Sequence, residues 1–358
     1  MKKIILTGGG TAGHVTPNLA LLPALLQHGY EVHYIGSRDG IEKSLCQKEG
    51  VTYHAIQTGK LRRYRSVKNF TDPFRILAGF FSSIGIIRRV RPNVIFSKGG
   101  FVSVPVSVAG KLNGIPVVLH ESDLTPGLAN RLCSPFSKAI CATFPETRAH
   151  INPKKAHITG APLRAALFEG DRDKGLSLCG FSGDKPVLLI IGGSLGAKAI
   201  NNTVRNILPA LTEQFSVIHL CGKGNLEPSL QLPHYAQFEF VEDELPHLFA
   251  AADIVLSRAG ANAIFELLAL RKPALLVPLT KSSSRGDQLL NAENFRSKGY
   301  SLVLLQEDMT DQSLLDAVRA LYEQRHSLVT AMEASGQGNG TENVLKIIFS
   351  YAKPEKNS

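Results

Sequence analysis

At 358 residues, 44% apolar and 20% charged, the chain is long enough for two cores at roughly 100–200 residues per domain and too apolar to stay disordered. Five scattered cysteines (46, 133, 141, 179 and 221) without a Cys-x-x-Cys exclude a disulfide framework or cysteine zinc site and fit a reducing compartment. The net charge of +10 is uneven, with 21 Lys and Arg against 8 Asp and Glu in residues 1–160 and 19 against 22 beyond, which turns the first half toward an anionic surface.

In chain order, Lys3–Thr7 reads as a buried strand that runs into Gly8-Gly9-Gly10-Thr11-Ala12-Gly13-His14. The apolar start is too short for an export signal. A helix is expected over about Pro17–His28, capped by Thr16 with Pro17 at its first position. Glycines at 8, 10 and 13 let the backbone approach a phosphate in front of the positive end of that helix. The same spelling occurs in dinucleotide folds, which place an acidic residue at the end of the second strand. Here that position reads Ile35-Gly36-Ser37-Arg38, and an Arg suits NADP, so an NADP-dependent oxidoreductase stays open.

Strands follow at Glu31–Ile35 and Val51–Ile56. Next comes Lys60-Leu61-Arg62-Arg63-Tyr64-Arg65, then an apolar segment with Phe74, Ile76, Leu77, Phe80, Phe81, Ile84 and Ile87, closed by Arg88, Arg89 and Arg91. Its uncharged stretch, 76–87, falls short of the roughly 18–20 apolar residues of a membrane span. A basic rim around an apolar helix suits attachment to anionic lipid, with packing on the sheet as the alternative. It matches no nucleic-acid-binding module, so no nucleic-acid partner is expected. Asn93–Ser97 is a strand that enters a further glycine turn, Gly99-Gly100-Phe101-Val102-Ser103, and Pro116–His120 and Ala139–Ala142 complete the first series.

The chain then passes Gly160-Ala161-Pro162, and a second alternating series begins, with strands at Val187–Ile191, Ser216–Leu220, Gln237–Phe240, Asp253–Leu256, Ala274–Val277 and Ser301–Leu304. Such alternation means parallel sheets covered by helices. The division is expected as 1–161, 162–335 and a C-terminal helical segment 336–358 that can pack back on the first domain. The halves rhyme: KIILTGGGTAG and VLLIIGGSLGA are both a strand, a glycine turn and a helix, which implies a duplicated nucleotide-type fold.

Three glycine turns on two domains suit two phosphorylated ligands, and the turn Gly192-Gly193-Ser194-Leu195-Gly196-Ala197-Lys198 serves the second half. Ser257-Arg258-Ala259-Gly260-Ala261-Asn262-Ala263-Ile264-Phe265-Glu266 places a turn before a helix, where the Glu266 carboxylate can accept both hydroxyls of a ribose. Arg285-Gly286-Asp287-Gln288 with Asn291 is a polar turn suited to sugar hydroxyls. Asp171-Arg172-Asp173 spells a metal-binding acidic pair but lies in a charged connecting stretch, and no metal is expected.

The combination GGTAGHVTPNLA, GGFVSVP, LHESD, GAPLR, GGSLGAK, SRAGAN with Glu266, and Asp287-Gln288 with Asn291-Ala292 resembles glycosyltransferase family 28 over essentially the whole chain. The family's members in bacterial cell-wall synthesis transfer N-acetylglucosamine from UDP-GlcNAc to a lipid-linked muramyl peptide. The resemblance implies a GT-B fold, two Rossmann-like domains facing across a cleft, with UDP-GlcNAc as co-substrate and no tightly bound cofactor. The acceptor it implies is undecaprenyl-diphosphate-MurNAc-pentapeptide (lipid I). The enzyme would sit peripherally on the cytoplasmic face of the membrane, with other cell-wall proteins as partners.

Carried over residue by residue, the donor-site Arg falls on Arg164, the loop Ser on Ser194, followed by Leu195 and Gly196. The ribose Glu falls on Glu266 behind Ala261 to Phe265, the sugar-binding Gln on Gln288, and the uracil-side aliphatic on Val241. Thr11, Ala12 and Gly13 take the family's Thr-Gly-Gly, so Ala12 replaces a glycine. The family's contact to the donor sugar after His-Glu-x falls on Asp123, where many members have Asn, and Asp287 stands where Gln is common. Gly10, Thr11, Gly99, Gly100 and Ser103 are the expected contacts of the acceptor diphosphate.

Inverting transfer needs a base for the acceptor hydroxyl and donors for the departing diphosphate. His14, at the start of a helix, and Glu121, at a strand's carboxyl end, are the base candidates. An enzyme of the same fold acting on another lipid, such as diacylglycerol, is the nearer alternative.

Overall fold

The computed structural model describes residues 1–59, 68–193, 196–281 and 285–354, the side chains of 68–74 excepted. The chain forms two compact units, Met1–Arg164 with Asn339–Ser358, and Ala165–Gly338.

In the first unit the strands are β1 (Lys2–Thr7), β2 (Tyr30–Ser37), β3 (Thr52–Ile56), β4 (Val94–Ser97), β5 (Val117–Glu121), β6 (Ala139–Ala142) and β7 (Ala156–Ile158). They form one sheet in the order β3-β2-β1-β4-β5-β6-β7. The pairing is parallel, with Ile4 opposite Val32 on one side and Val94 on the other. Strands buried on both faces read as continuous apolar runs, because successive side chains enter opposite cores. Along β1, Ile4 and Leu6 enter one core and Ile5 the other. Ile86, Ile87 and Val90, from the helix Lys68–Val90, close the Ile5 core.

The C-terminal helix Thr341–Tyr351 closes the other core through Val344, Leu345 and Ile348. Asn339 secures the return, since its Oδ1 accepts the Leu163 N–H and its Nδ2 donates to the Leu163 carbonyl, both at 3.1 Å. The units therefore divide at Arg164 and Gly338, three residues beyond the positions read from the sequence on each side.

The second unit holds β8 (Val187–Ile191), β9 (Ser216–Leu220), β10 (Tyr235–Phe238), β11 (Ile254–Ser257), β12 (Ala274–Leu276) and β13 (Ser301–Val303). Their parallel order, β10-β9-β8-β11-β12-β13, repeats the first six positions of the other sheet. Each sheet reverses its winding beside its first strand, between β1 and β4 and between β8 and β11, where doubly wound folds bind ligands beyond the carboxyl ends.

Local details depart from the expectation at several places, among them the unexpected strand β7 and β10, which begins two residues before the expected Gln237. The first helix starts at Ala12 with an extended Thr11 before it, so Thr16 is not the cap; its hydroxyl donates to the Ala12 carbonyl at 3.0 Å. Pro17 falls inside this Ala12–Leu19 helix, and a second short helix, Leu22–Gln27, follows instead of one continuous segment. Asp171 is the N-cap of Arg172–Cys179, accepting the Lys174 N–H at 3.0 Å, while Arg172 pairs with Asp253 at 3.2 Å.

If the C-terminal helix is part of the first core, Leu345→Ala costs about 2–5 kcal/mol of stability. Urea denaturation checks this, and a loss below about 1 kcal/mol would contradict the packing.

Candidate active site

In the first unit the site is built at the carboxyl ends of β1, β4 and β5. Asn18 and Tyr34 hold the β1 end: Asn18 Nδ2 lies 3.1 Å from both the Thr7 carbonyl and the Tyr34 hydroxyl, and that hydroxyl donates to the Gly8 carbonyl at 2.7 Å. Beneath the turn the buried Glu42 accepts the Ser37 N–H at 2.9 Å, the Ser37 hydroxyl at 2.5 Å and the Gly10 N–H at 3.4 Å. The acidic residue that a dinucleotide fold places after its second strand is thus present a few positions later. It braces the glycine turn from inside. Gly100 has φ +83°, and a Cβ there would stand 2.2 Å from the Gly9 carbonyl oxygen, so the two turns meet backbone to backbone. His14 lies half-buried in the first helical turn.

The β4 turn carries two surprises. Ser103, expected at the acceptor diphosphate, is fully buried and its hydroxyl donates to the Gly99 carbonyl at 2.7 Å, so it shapes the turn from within. Lys98, which the sequence reading passed over, is 2% exposed. Its ammonium donates to His120 Nδ1 at 2.9 Å and to the Ser122 hydroxyl. Burial pulls this lysine down to about 8, against the upward pull of Glu121 and Asp123. Burial, and then the Lys98 charge, hold His120 well below its usual range. Its Nε2 lies 3.2 Å from the Gly160 carbonyl, which places the proton there and leaves Nδ1 to accept from Lys98.

Glu121 is buried with both oxygens engaged. Oε1 accepts the Asp123 N–H at 3.0 Å; Oε2 accepts the Gly127 N–H at 3.0 Å and the Asn130 amide at 2.8 Å. That geometry anchors the turn after β5. Arg164, where the unit's first segment ends, is half-buried, and its Nε is buried without a hydrogen-bond partner among the described residues.

In the second unit Ser194 and Leu195 lie outside the described residues, but their frame is visible. The Gly196 N–H closes on the Gly193 carbonyl at 2.8 Å, and a Cβ on Gly196, at φ +75°, would stand 2.0 Å from the Cys221 carbonyl oxygen. Asn201 donates to that same carbonyl at 2.8 Å and pairs with His219 Nε2 at 3.1 Å, while His219 Nδ1 lies 3.1 Å from the Tyr235 hydroxyl.

Beyond β11 the helix Ala261–Ala269 starts at Gly260, and its first bond is Ile264 N–H to the Gly260 carbonyl at 3.1 Å. The amides of Ala261, Asn262 and Ala263 precede that bond, which is where an anion finds donors. The side chains of Ile264 and Phe265 turn into the core, Phe265 edge-on to Phe295 at 5.3 Å. Glu266, in the second turn, is half-buried. Gln288 Oε1 accepts the Leu279 N–H at 3.1 Å, and buried Asn291 donates to the Ala259 carbonyl at 3.3 Å. These bonds tie the segments after β11 and β12 to the helix Asp287–Ser297. Val241, in the loop after β10, is half-buried.

Of the expected membrane patch, Arg62 and Arg63 lie outside the described residues, as does the Phe74 side chain. Phe80 and Ile84 pack against the sheet core, because one face of the helix must cover Ile35 and Ile56. Leu77 and Phe81 stand outward, 52% and 62% exposed, and the exposed Arg88 donates to Asn113 at 3.2 Å. No helix among the described residues is long and apolar enough to cross a membrane.

Two doubly wound units, each with a glycine turn and a helix start at the carboxyl edge of its sheet, define a two-domain glycosyltransferase of the GT-B class. The chain matches the glycosyltransferase family 28 N-terminal domain over residues 4–142 and the family 28 C-terminal domain over residues 187–347, and it belongs to that family. Among curated relatives, a Clostridium kluyveri protein is 57% identical over 98% of this chain and 100% of its own. A Clostridium botulinum relative is 55% identical over 99% and 100%. Both are named UDP-N-acetylglucosamine–N-acetylmuramyl-(pentapeptide) pyrophosphoryl-undecaprenol N-acetylglucosamine transferase. The crystal structure of Acinetobacter baumannii MurG matches with a TM-score of 0.77 at 26% identity, covering 98% of this chain and 100% of that one. Membership of a transferase family overturns the oxidoreductase alternative.

The pH dependence of the second unit follows from His219. Burial, with Arg205 nearby, pulls this imidazole from 6.5 to about 4. The folded state holds it neutral, so the unfolded chain binds the proton first on acidification. The stability is fully present above about pH 6.5 and is lost as pH falls toward 4, a contribution on the order of 3 kcal/mol. His219→Gln removes this dependence. The difference in unfolding free energy between wild type and variant should change by that amount between pH 7 and 4, and a constant difference would refute it.

Proposed function

We propose that this enzyme transfers GlcNAc from UDP-GlcNAc to the 4-hydroxyl of MurNAc in undecaprenyl-diphosphate-MurNAc-pentapeptide, with inversion to a β-1,4 link. The observation that carries the reading is the near-complete length over which the chain matches relatives named for this reaction, together with a glycine turn and helix start at the ligand-binding edge of each sheet.

In this reading the second unit takes the donor. Glu266 accepts the ribose hydroxyls, Val241 packs on the uracil side, and Gln288 reads the sugar. The amides at the start of Ala261–Ala269, the 193–196 turn with Ser194, and Arg164 stabilise the charge that grows on the departing UDP. The first unit takes the acceptor, whose diphosphate lies against Gly10, Thr11, Gly99 and Gly100. His14 is the general base. Its place in the first helical turn favours the neutral imidazole that can accept the hydroxyl proton, whereas the Glu121 carboxylate is already engaged by three donors.

The test is turnover of labelled UDP-GlcNAc with a short-chain lipid I analogue, against diacylglycerol as control acceptor. Transfer to the lipid I analogue alone is expected, and transfer to diacylglycerol alone would replace the reading. His14→Ala lowers kcat by roughly 10²–10⁴-fold with donor binding retained, the usual contribution of a general base. Full activity in that variant would remove His14 from the role.

The same reading attaches the enzyme to the cytoplasmic face of the membrane, and the first half of the chain supports it. Leu77 and Phe81 project from a helix that ends in Arg88 and Arg89, in a half carrying a surplus of 13 positive charges. Vesicles with anionic headgroups should sediment the protein and zwitterionic ones should not. Replacing Leu77 and Phe81 together by Ser should weaken that binding by about tenfold or more; unchanged binding would place the contact elsewhere.

A further inference from the structure

Arg38, which follows β2, has no part in the reaction described above, yet the fold sets it on the wall of a cavity. The cavity, about 530 Å³, lies within the first unit and is lined by residues that include Gly10, Arg38, Asp39, Gln57, Arg75 and Phe101. That volume is in the range of pockets that hold organic ligands. Buried bonds set its walls. Glu42 ties two of them together, accepting the Ser37 N–H at 2.9 Å on one side and the Gly10 N–H at 3.4 Å on the other. The Tyr53 hydroxyl donates to the Ser37 carbonyl at 2.5 Å. At the third wall the helix Lys68–Val90 comes close to the exit of β3 because residue 79 is glycine, where a Cβ would stand 2.1 Å from the Gln57 carbonyl oxygen. Arg75, one turn earlier on the same helix face, therefore reaches the cavity beside Gln57. The Phe101 ring closes on Gly10, which has φ +93° and no Cβ; one there would stand 2.7 Å from Phe101 Cε1.

Both arginines are exposed, and with Asp39 they are the ionisable groups of the lining: two positive charges against one negative. The guanidinium fork matches a carboxylate in shape as well as charge. Arg38, Asp39, Gln57 and Arg75 together suit a polar, anionic ligand and not a prenyl chain.

We propose that this cavity binds the peptide of the acceptor, with Arg38 and Arg75 holding the peptide's carboxylates. Gly10 belongs both to the cavity and to the turn assigned to the acceptor's diphosphate, so an acceptor seated at that turn has the cavity beside it. Of the acceptor's parts, the prenyl chain belongs with the membrane and the sugar hydroxyl with the donor. The peptide is the part that ends in a carboxylate. The inference rests on the acceptor assignment given above.

Wild type and R38Q/R75Q are assayed with labelled UDP-GlcNAc and two short-chain lipid I analogues, one carrying the whole pentapeptide and one cut to its first residue and capped as an amide. Wild type is expected to favour the whole peptide by about tenfold in kcat/KM, the scale of two exposed charge-assisted contacts. In R38Q/R75Q that ratio falls to near one. A wild type that does not distinguish the two acceptors, or a variant that keeps the wild-type ratio, overturns the proposal.

The anionic vesicles named above supply the other source of negative charge. R38Q/R75Q is expected to sediment with them as wild type does. Lost sedimentation with an unchanged acceptor ratio assigns the arginines to lipid headgroups and overturns the peptide site. Should wild type show no transfer to either analogue, the acceptor assignment itself fails. The cavity is then judged by fluorescence anisotropy of a dye-labelled muramyl pentapeptide. Binding to wild type that is lost in R38Q/R75Q upholds the site, and no binding to wild type overturns it.

Discussion

The approach of Gly100 to the Gly9 carbonyl is the constraint around which the first unit's site is arranged. A side chain at position 100 has no room, so the turns after β1 and β4 touch through backbone alone. Turns so close bury polar backbone groups, which must be paired. Glu42 takes the Gly10 and Ser37 amides, Tyr34 takes the Gly8 carbonyl, and Ser103 takes the Gly99 carbonyl. These groups make a rigid edge out of residues that have little rigidity of their own.

The second unit reaches the same end with different chemistry. Its glycine turn rests on the Cys221 carbonyl, and that carbonyl is held by Asn201, which in turn is oriented by His219 and Tyr235. A neutral hydrogen-bonded chain therefore replaces the buried carboxylate of the first unit. Both solutions follow from the shared strand order, which puts the winding reversal, and hence the ligand edge, beside the first strand of each sheet.

Charge divides the labour between the units. The basic surplus and the outward Leu77 and Phe81 belong to the unit that holds Lys98 beneath a glycine turn. In the proposed reading, a lipid-bound acceptor sets the first half against a membrane surface and the acceptor's phosphates, and a positive surplus suits both. The second half, read as the donor side, carries a slightly acidic balance.

Much of this was legible in the sequence because it depends on local rules. Short apolar runs that end in glycine become parallel strands entering turns, and the rhyme between the segments at Gly8 and Gly192 revealed the duplication. The motifs around His14, Gly99, Gly192 and Glu266 marked the carboxyl edges of the two sheets for the same reason: glycine and helix starts carry backbone meaning wherever they occur. What the tertiary structure decided concerns burial, which no local pattern encodes. Lys98 reads as an ordinary lysine until the fold sets it against His120 and Ser122, and Glu42 as a helix-surface residue until it is found beneath the glycine turn. Ser103, Ile264 and Phe265 lie within ligand-type motifs yet point inward, because the helix phase relative to the sheet fixes which side chains the core takes. Glu121 reads as a base candidate from its strand-end position, and the three donors around its carboxylate become visible only in the fold.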